Sequence, residues 1–334
     1  MEWLYIARIV STFAVIVLHI SAYTVNLAEL GSLSWWAGNI YDSLTRWCVP
    51  VFVMISGALL LSPEKNESLS FFYKKRMSRI FYPLVFWSAF FIFWGVIKSR
   101  VSGGGETEIL RSIVNGRPYY HLWFLYMIMG LYIFTPLIRV VIFNTEKNFL
   151  LFFVLMMFAF CSLSDMYNFS IKSNDFLFFG EFLYYLPYYI CGHLIVRSNP
   201  SHSPLHYSVV FFLSFAFTCL FCYFLSLILG KENGLYFYNY LSVNVILMSI
   251  SFMWILKGCR TKYINPEKLK FLSEISLGIY LIHPIFVELF YYLASRRWMV
   301  QSVITIPLIS AIVFLCCVIS VFFIKKVPYL RRVV

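Results

Sequence analysis

Residues 4–25 read LYIARIVSTFAVIVLHISAYTV, an apolar stretch interrupted by one arginine and one histidine. As a helix the stretch rises ~33 Å, enough to cross the hydrocarbon core of a bilayer. It has no basic leader and no small-residue cleavage site, so it is expected to be retained as a span rather than removed as a signal. Two of its side chains are costly at membrane depth: Arg8 and His19. Eleven residues at about 100° each return His19 to within about 20° of Arg8, so both project from one helix face, ~16 Å apart in depth. An arginine near a helix start snorkels, and a lone buried histidine often serves as a hydrogen-bonded structural group. The pair alone therefore leaves a structural and a functional reading open.

The remaining sequence repeats the first lesson. The chain is 61% hydrophobic, 21% aromatic and only 13% charged over 334 residues. A soluble domain carries about 25% charged residues, so a cytosolic enzyme, a disordered chain and a secreted disulfide scaffold are all excluded. Ten apolar runs are expected to cross the membrane: 4–25, 43–61, 79–97, 122–143, 149–164, 177–196, 207–229, 236–256, 271–294 and 303–324. The run 149–164 is the shortest. None shows the alternation of an outer-membrane barrel, and no internal repeat suggests a transporter's inverted halves. The expected fold is all-α: a polytopic integral membrane bundle of about ten helices, 1–334 forming one domain with no appended soluble unit.

Lys and Arg set the expected orientation. With the N-terminus inside, the inner flanks hold 17 basic residues and the outer flanks 8. That asymmetry places both termini in the cytoplasm, as an even number of crossings requires. The formal charge of +12 follows from the same rule and implies no nucleic-acid partner. Cys219 and Cys222 form a C-x-x-C inside FTCLFCYFL, where buried small side chains are expected rather than a redox pair.

Further polar residues interrupt the runs. Asp42 and Arg46 stand at i,i+4 at the start of the second run, the arrangement of a helix-end ion pair, while Pro50 and Ser56–Gly57 suggest a kink and a close helix crossing. Lys75, Arg76 and Arg79 can share a face at the mouth of the third run, as plain flanking charge or as a phosphate-binding cluster. His121 and Trp123 open the fourth run, and Glu181 precedes Tyr184, Tyr185, Tyr188 and Tyr189. An interfacial aromatic belt explains these, with sugar binding by Trp123 or Glu181 as the alternative. In the ninth run Ser276, Tyr280 and His283 fall at i, i+4 and i+7, hence on one face, with Pro284 loosening the next turn. No spacing matches a metal-ligand pattern, so no metal is expected.

Five segments together resemble the acyltransferase-3 family of membrane acyltransferases, and within it the stand-alone O-acetyltransferases of bacterial surface polysaccharides, of the enterobacterial common antigen type. These are Arg8-x10-His19, R-x3-P-x-F-x3-SG from Arg46 to Gly57, KR-x2-RI-x2-P from Lys75 to Pro83, HLWFL at 121–125 with LY-x3-P at 131–136, and SLGIYLIHP at 276–284. Many relatives carry an Asp shortly before the arginine of the first helix; here the stretch is WLYIAR, so no role is assigned to such a residue.

The resemblance implies ten helices in a bacterial inner membrane. It also implies a cytoplasmic acyl-CoA donor such as acetyl-CoA, no permanently bound cofactor, and transfer to a hydroxyl of a surface glycan or its lipid-linked precursor. In that scheme Lys75, Arg76 and Arg79 hold the donor phosphates. His19 acts as general base or as acyl-accepting nucleophile, with Arg8 on the same helix face supporting the donor. Arg8, Arg46, Tyr280 and His283 are candidates for oxyanion stabilisation, and Ser276 is a further substrate or oxyanion candidate. The competing class is a flippase for lipid-linked sugars, in which the same buried charges would bind cargo and couple protons.

Overall fold

The computed structural model describes residues 2–62, 68–102, 116–171, 180–259, 264–293 and 302–334. Among the described residues the chain is helical, without strands. The helices are α1 (Trp3–Leu27), α2 (Leu33–Thr45), α3 (Cys48–Leu60), α4 (Leu69–Ser102), α5 (Trp123–Phe143), α6 (Lys147–Ile171), α7 (Glu181–Arg197), α8 (Pro204–Leu229), α9 (Val243–Gly258), α10 (Pro266–Leu293) and α11 (Ser302–Lys326). Short 3-10 turns lie at Tyr236–Tyr238 and Leu330–Arg332.

Nine segments among the described residues are long and apolar enough to cross a membrane, α2 and α3 together counting as one. The 17-residue α7 spans ~26 Å and matches the sixth apolar run. The run 149–164, the shortest on paper, belongs to the 25-residue α6. The chain thus builds the polytopic helical bundle expected from its composition.

The run 43–61 is not one helix. The chain breaks at Arg46–Trp47, and Pro50 explains the position: it has no amide for the Arg46 carbonyl, and its ring would press on that carbonyl in a continuous helix. Asp42 and Arg46 therefore close α2 rather than open a long span. Their ion pair is short, with Arg46 Nη2 2.5 Å from Asp42 Oδ1.

Small residues decide which helices meet at the centre. A Cβ on Gly57 of α3 would fall 1.8 Å from the Tyr189 carbonyl oxygen of α7, and one on Gly192 of α7 would fall 1.9 Å from that of Met54. The two backbones touch at both points, the close crossing expected of Ser56–Gly57. Helix α1 packs against α2, α3, α10 and α11. By contrast α6 and α8 turn Phe149, Phe152, Phe160, Leu213 and Phe224 outward, which costs little against lipid.

Helices α1 and α10 run side by side in the same direction. Arg8 meets Ser273, His19 meets His283, and Tyr23 stacks on Tyr291. Tyr5 and Arg8 share a cavity with Arg79 and Glu274, and these two border Arg331 and Val334. The first and last segments of the chain therefore lie at one end of the bundle, the end that also carries Arg76 and Arg79.

Candidate active site

Three histidines from three parts of the chain converge in the bundle. His19 on α1 stacks on His283 of α10, with ring centroids 5.1 Å apart and planes 23° from parallel. His121, just before α5, meets His283 edge-on at 5.4 Å. His121 and His283 are almost wholly buried, at 1% and 0% exposure. His121 thus does not lie on the surface of the bundle. Phe91 from α4, 4.9 Å away, and Tyr280, 5.5 Å away, cover its ring, so it sits inside rather than at the rim.

The local sequence of α10 fixes the tautomer of His283. Pro284 has no amide to give the Tyr280 carbonyl, its partner four residues back. His283 Nδ1 takes that acceptor instead, at 2.6 Å. A carbonyl only accepts, so Nδ1 carries the proton and Nε2 of the neutral ring keeps its lone pair. That Nε2 is buried and meets no hydrogen-bond partner among the described residues, and neither does either ring nitrogen of His121. Polar atoms buried without partners are expensive and stand out in a native interior.

A cavity of about 380 Å³ leads toward this cluster from the basic end. Arg76 and Arg79 of α4 stand at its mouth, with Arg8 and Glu274. Its deeper wall is apolar, from Phe52 and Ile55 of α3 and Leu125 and Ile128 of α5, and Ser276 and Tyr280 of α10 complete it. Arg8 Nη1 reaches Ser273 Oγ at 3.4 Å, which holds the guanidinium along the cavity wall. Tyr280 is the partition. Its hydroxyl donates to the His121 carbonyl, and its ring lies 5.8 Å from that of His283.

On the other side of the histidines lies an aromatic and acidic lining that the sequence reading missed. The Tyr120 ring stands 4.9 Å from His19. Next to it Tyr23 stacks on Tyr291, and Glu288 accepts from Tyr119, from Trp94 Nε1 at 2.9 Å and from Lys98 at 2.9 Å. Glu288 and Tyr291 stand five and eight residues beyond His283, about 140° and 80° round the helix, so helical phase does not group them with it and nothing in their local sequence marks them.

Other expected residues are placed elsewhere. Lys75 does not line the cavity; its ammonium lies over the Phe71 ring, 5.1 Å from the centroid. Arg46 is held by Asp42, the Tyr238 carbonyl and the Tyr238 ring face. Trp123 packs between Tyr185 and Tyr240. Glu181 pairs with Arg117 at 3.1 Å. Tyr185, Tyr188 and Tyr189 are core residues and not an interfacial belt, because the glycine crossing of α3 and α7 draws that face inward. All eight cysteines are unpaired thiols, Cys219 and Cys222 buried among them. Among the described residues no group of three His, Cys, Asp or Glu side chains is placed to hold a metal ion.

Chemically, the arrangement offers guanidinium groups and apolar side chains along one cavity, with three imidazoles beyond Tyr280. That combination suits transfer of a group from an anionic carrier to a base-activated acceptor. A comparison with curated proteins and one with solved structures return no match. The family model described as "Acyltransferase domain", that of acyltransferase-3, matches residues 1–324. With that match covering nearly the whole chain, the protein belongs to the acyltransferase-3 family of membrane acyltransferases.

Proposed function

We propose that this membrane acyltransferase moves an acetyl or other short acyl group from acyl-CoA, bound at the basic end, to a hydroxyl of a surface glycan or its lipid-linked precursor. The observation that carries the proposal is the cavity that runs from Arg76 and Arg79 past Arg8 to Tyr280, with the histidine cluster directly behind it. By the excess of basic residues on one set of flanks, the basic end faces the cytoplasm of a bacterial inner membrane, where acyl-CoA is found.

In this reading the donor phosphates lie against Arg76 and Arg79, and the pantetheine arm follows the apolar wall. The thioester reaches His19 when Tyr280 turns aside. The glycan hydroxyl approaches from the opposite side, across Tyr120, Tyr23 and Tyr291, whose ring faces suit the apolar face of a sugar. His19 takes the hydroxyl proton as the oxygen attacks the thioester carbon. The tetrahedral intermediate collapses with release of CoA as the thiol, the proton passing from His19 to the leaving sulfur. A relay, in which the His19 nitrogen first accepts the acyl group, uses the same geometry. Stacking on His283 limits the orientations open to the His19 ring in either case.

The test is direct. Purified protein with acetyl-CoA and a lipid-linked glycan acceptor releases free CoA thiol and yields an esterified glycan. A flippase releases no thiol, and that result removes the enzymatic reading.

A further inference from the structure

The residues after α11 fold back onto the bundle. Val327 to Val334 turn under α4, where Trp87 Nε1 donates to the Val333 carbonyl at 2.7 Å. The turn is closed by Arg331 N–H to the Val327 carbonyl at 3.0 Å and by Val333 N–H to the Leu330 carbonyl at 3.0 Å. Gly278 of α10 makes room for it: a Cβ there would fall 2.8 Å from Val321 Cγ1 and 3.0 Å from Val334 Cβ. The segment is therefore seated on α4 and α10 by specific contacts.

This seating creates a second pocket of about 470 Å³, bounded by Arg79, Glu274, Lys325, Arg331 and Arg332. It shares Arg79, Glu274 and Leu277 with the donor cavity, so the two are compartments of one opening. Four cationic side chains, Arg79, Lys325, Arg331 and Arg332, face it against one carboxylate side chain, Glu274. The neighbouring lysines divide their roles: Lys325 borders the pocket, whereas Lys326 lies over the Phe322 ring at 4.4 Å. Flanking charge that only orients a helix needs neither a tail folded back nor guanidinium groups gathered round one concavity with Arg79. A concave surface with an excess of positive side chains concentrates the potential for an anion, and guanidinium forks match phosphate oxygens.

We propose that this outer pocket, built by the Val327–Val334 segment, binds the phosphates of the donor nucleotide and delivers its acyl arm to the inner cavity. The inference rests on the acyl-CoA reading above and extends it to Lys325, Arg331 and Arg332, none of which the donor cavity contains. The ligand chemistry is a polyphosphate. A free nucleotide and an anionic lipid headgroup both offer it, and the geometry favours the nucleotide because the pocket continues into a channel that a pantetheine arm fits.

Binding to the full-length protein in detergent micelles tests this with three probes: acetyl-CoA, S-acetylpantetheine, which lacks all phosphates, and phosphatidylglycerol in mixed micelles. Arg331→Gln with Arg332→Gln is expected to weaken acetyl-CoA binding at least tenfold, as loss of two charge-assisted contacts requires, and to leave S-acetylpantetheine binding unchanged. The Arg331→Lys, Arg332→Lys protein keeps most of the affinity. Lys325→Gln, which leaves the tail intact, loses at least threefold for acetyl-CoA alone. Equal acetyl-CoA affinity in wild type and variants overturns the proposal while the donor reading stands. Loss confined to phosphatidylglycerol, or equal loss for S-acetylpantetheine, overturns it too. Absence of acetyl-CoA binding by the wild-type protein brings down the donor reading and this inference with it.

Discussion

His19 and His283 stack face to face in the bundle, ring centroids 5.1 Å apart, although 264 positions separate them in the chain. Their partnership follows from α1 and α10 lying parallel, and it assigns the two rings different work. His283 is tied through Nδ1 to the Tyr280 carbonyl. His19 has the Tyr120 ring beside it, and in the proposed mechanism it handles the substrate proton while His283 acts as a positioning residue. His283→Ala is expected to lower kcat about tenfold or more and to reduce thermal stability in detergent, because a buried ring is lost. Michaelis constants for acetyl-CoA are expected to stay within about twofold, since His283 does not line the cavity proposed for the donor. A changed donor KM with unchanged kcat would contradict that role.

Pro284 supports the same geometry from one residue away. Pro284→Ala returns an amide to α10 that competes with His283 Nδ1 for the Tyr280 carbonyl. The helix itself gains, so the variant is expected to melt no lower than wild type while kcat falls. An unaltered kcat would show that the hydrogen bond of His283 does not matter for turnover.

Arg76 and Arg79 line the cavity proposed for the donor and Lys75 does not. Arg76→Gln with Arg79→Gln is expected to weaken acetyl-CoA binding more than tenfold, on about 1.5–3 kcal/mol per charge-assisted phosphate contact. Lys75→Gln changes it less than threefold. Equal effects at the three positions, read by equilibrium binding, would return the cluster to plain flanking charge.

The crossing of α3 and α7 leaves no room for a methyl group. Gly57→Ala and Gly192→Ala each drive a Cβ into a facing carbonyl, and overpacking of this kind costs about 1–3 kcal/mol. Both variants are expected to melt lower in detergent, and the double variant to be recovered poorly from membranes. Wild-type melting in either would mean that the helices separate more easily than their contact implies.

Orientation is open to labelling. With the eight native cysteines replaced, a cysteine at Ser68 is expected to resist an impermeant maleimide in intact spheroplasts, and one at Asn233 to react. The reverse pattern would place the basic end outside and detach it from acyl-CoA.

Much of this architecture was legible in the sequence because continuous apolar runs have few structural solutions in lipid. The phase of Arg8 and His19, and of Ser276, Tyr280 and His283, also read correctly, since helical periodicity is local. Two kinds of feature escaped. The break at Arg46–Trp47 depends on a proline three to four residues further on, which in a membrane helix often produces only a kink. The site role of His121 depends on packing: a histidine beside interfacial tyrosines looks the same in sequence whether α4 covers it or water does. Phe91 makes the difference, and it is a distant residue on another helix. Lys75 failed for a related reason. The three cations fall within about 100° of one helix face, and the sequence does not say which is diverted to an aromatic ring.

The central claim is that His19 performs the transfer chemistry, and turnover of the His19→Ala protein tests it most directly. Purified wild-type and variant proteins are compared for CoA thiol release and glycan esterification at saturating acetyl-CoA, with acetyl-CoA binding measured in parallel. The account predicts that His19→Ala binds the donor normally and loses turnover by about 10²–10⁴-fold, the range for removal of a general base. Near-wild-type turnover by a variant that binds acetyl-CoA would contradict it and move the chemistry to another member of the histidine cluster.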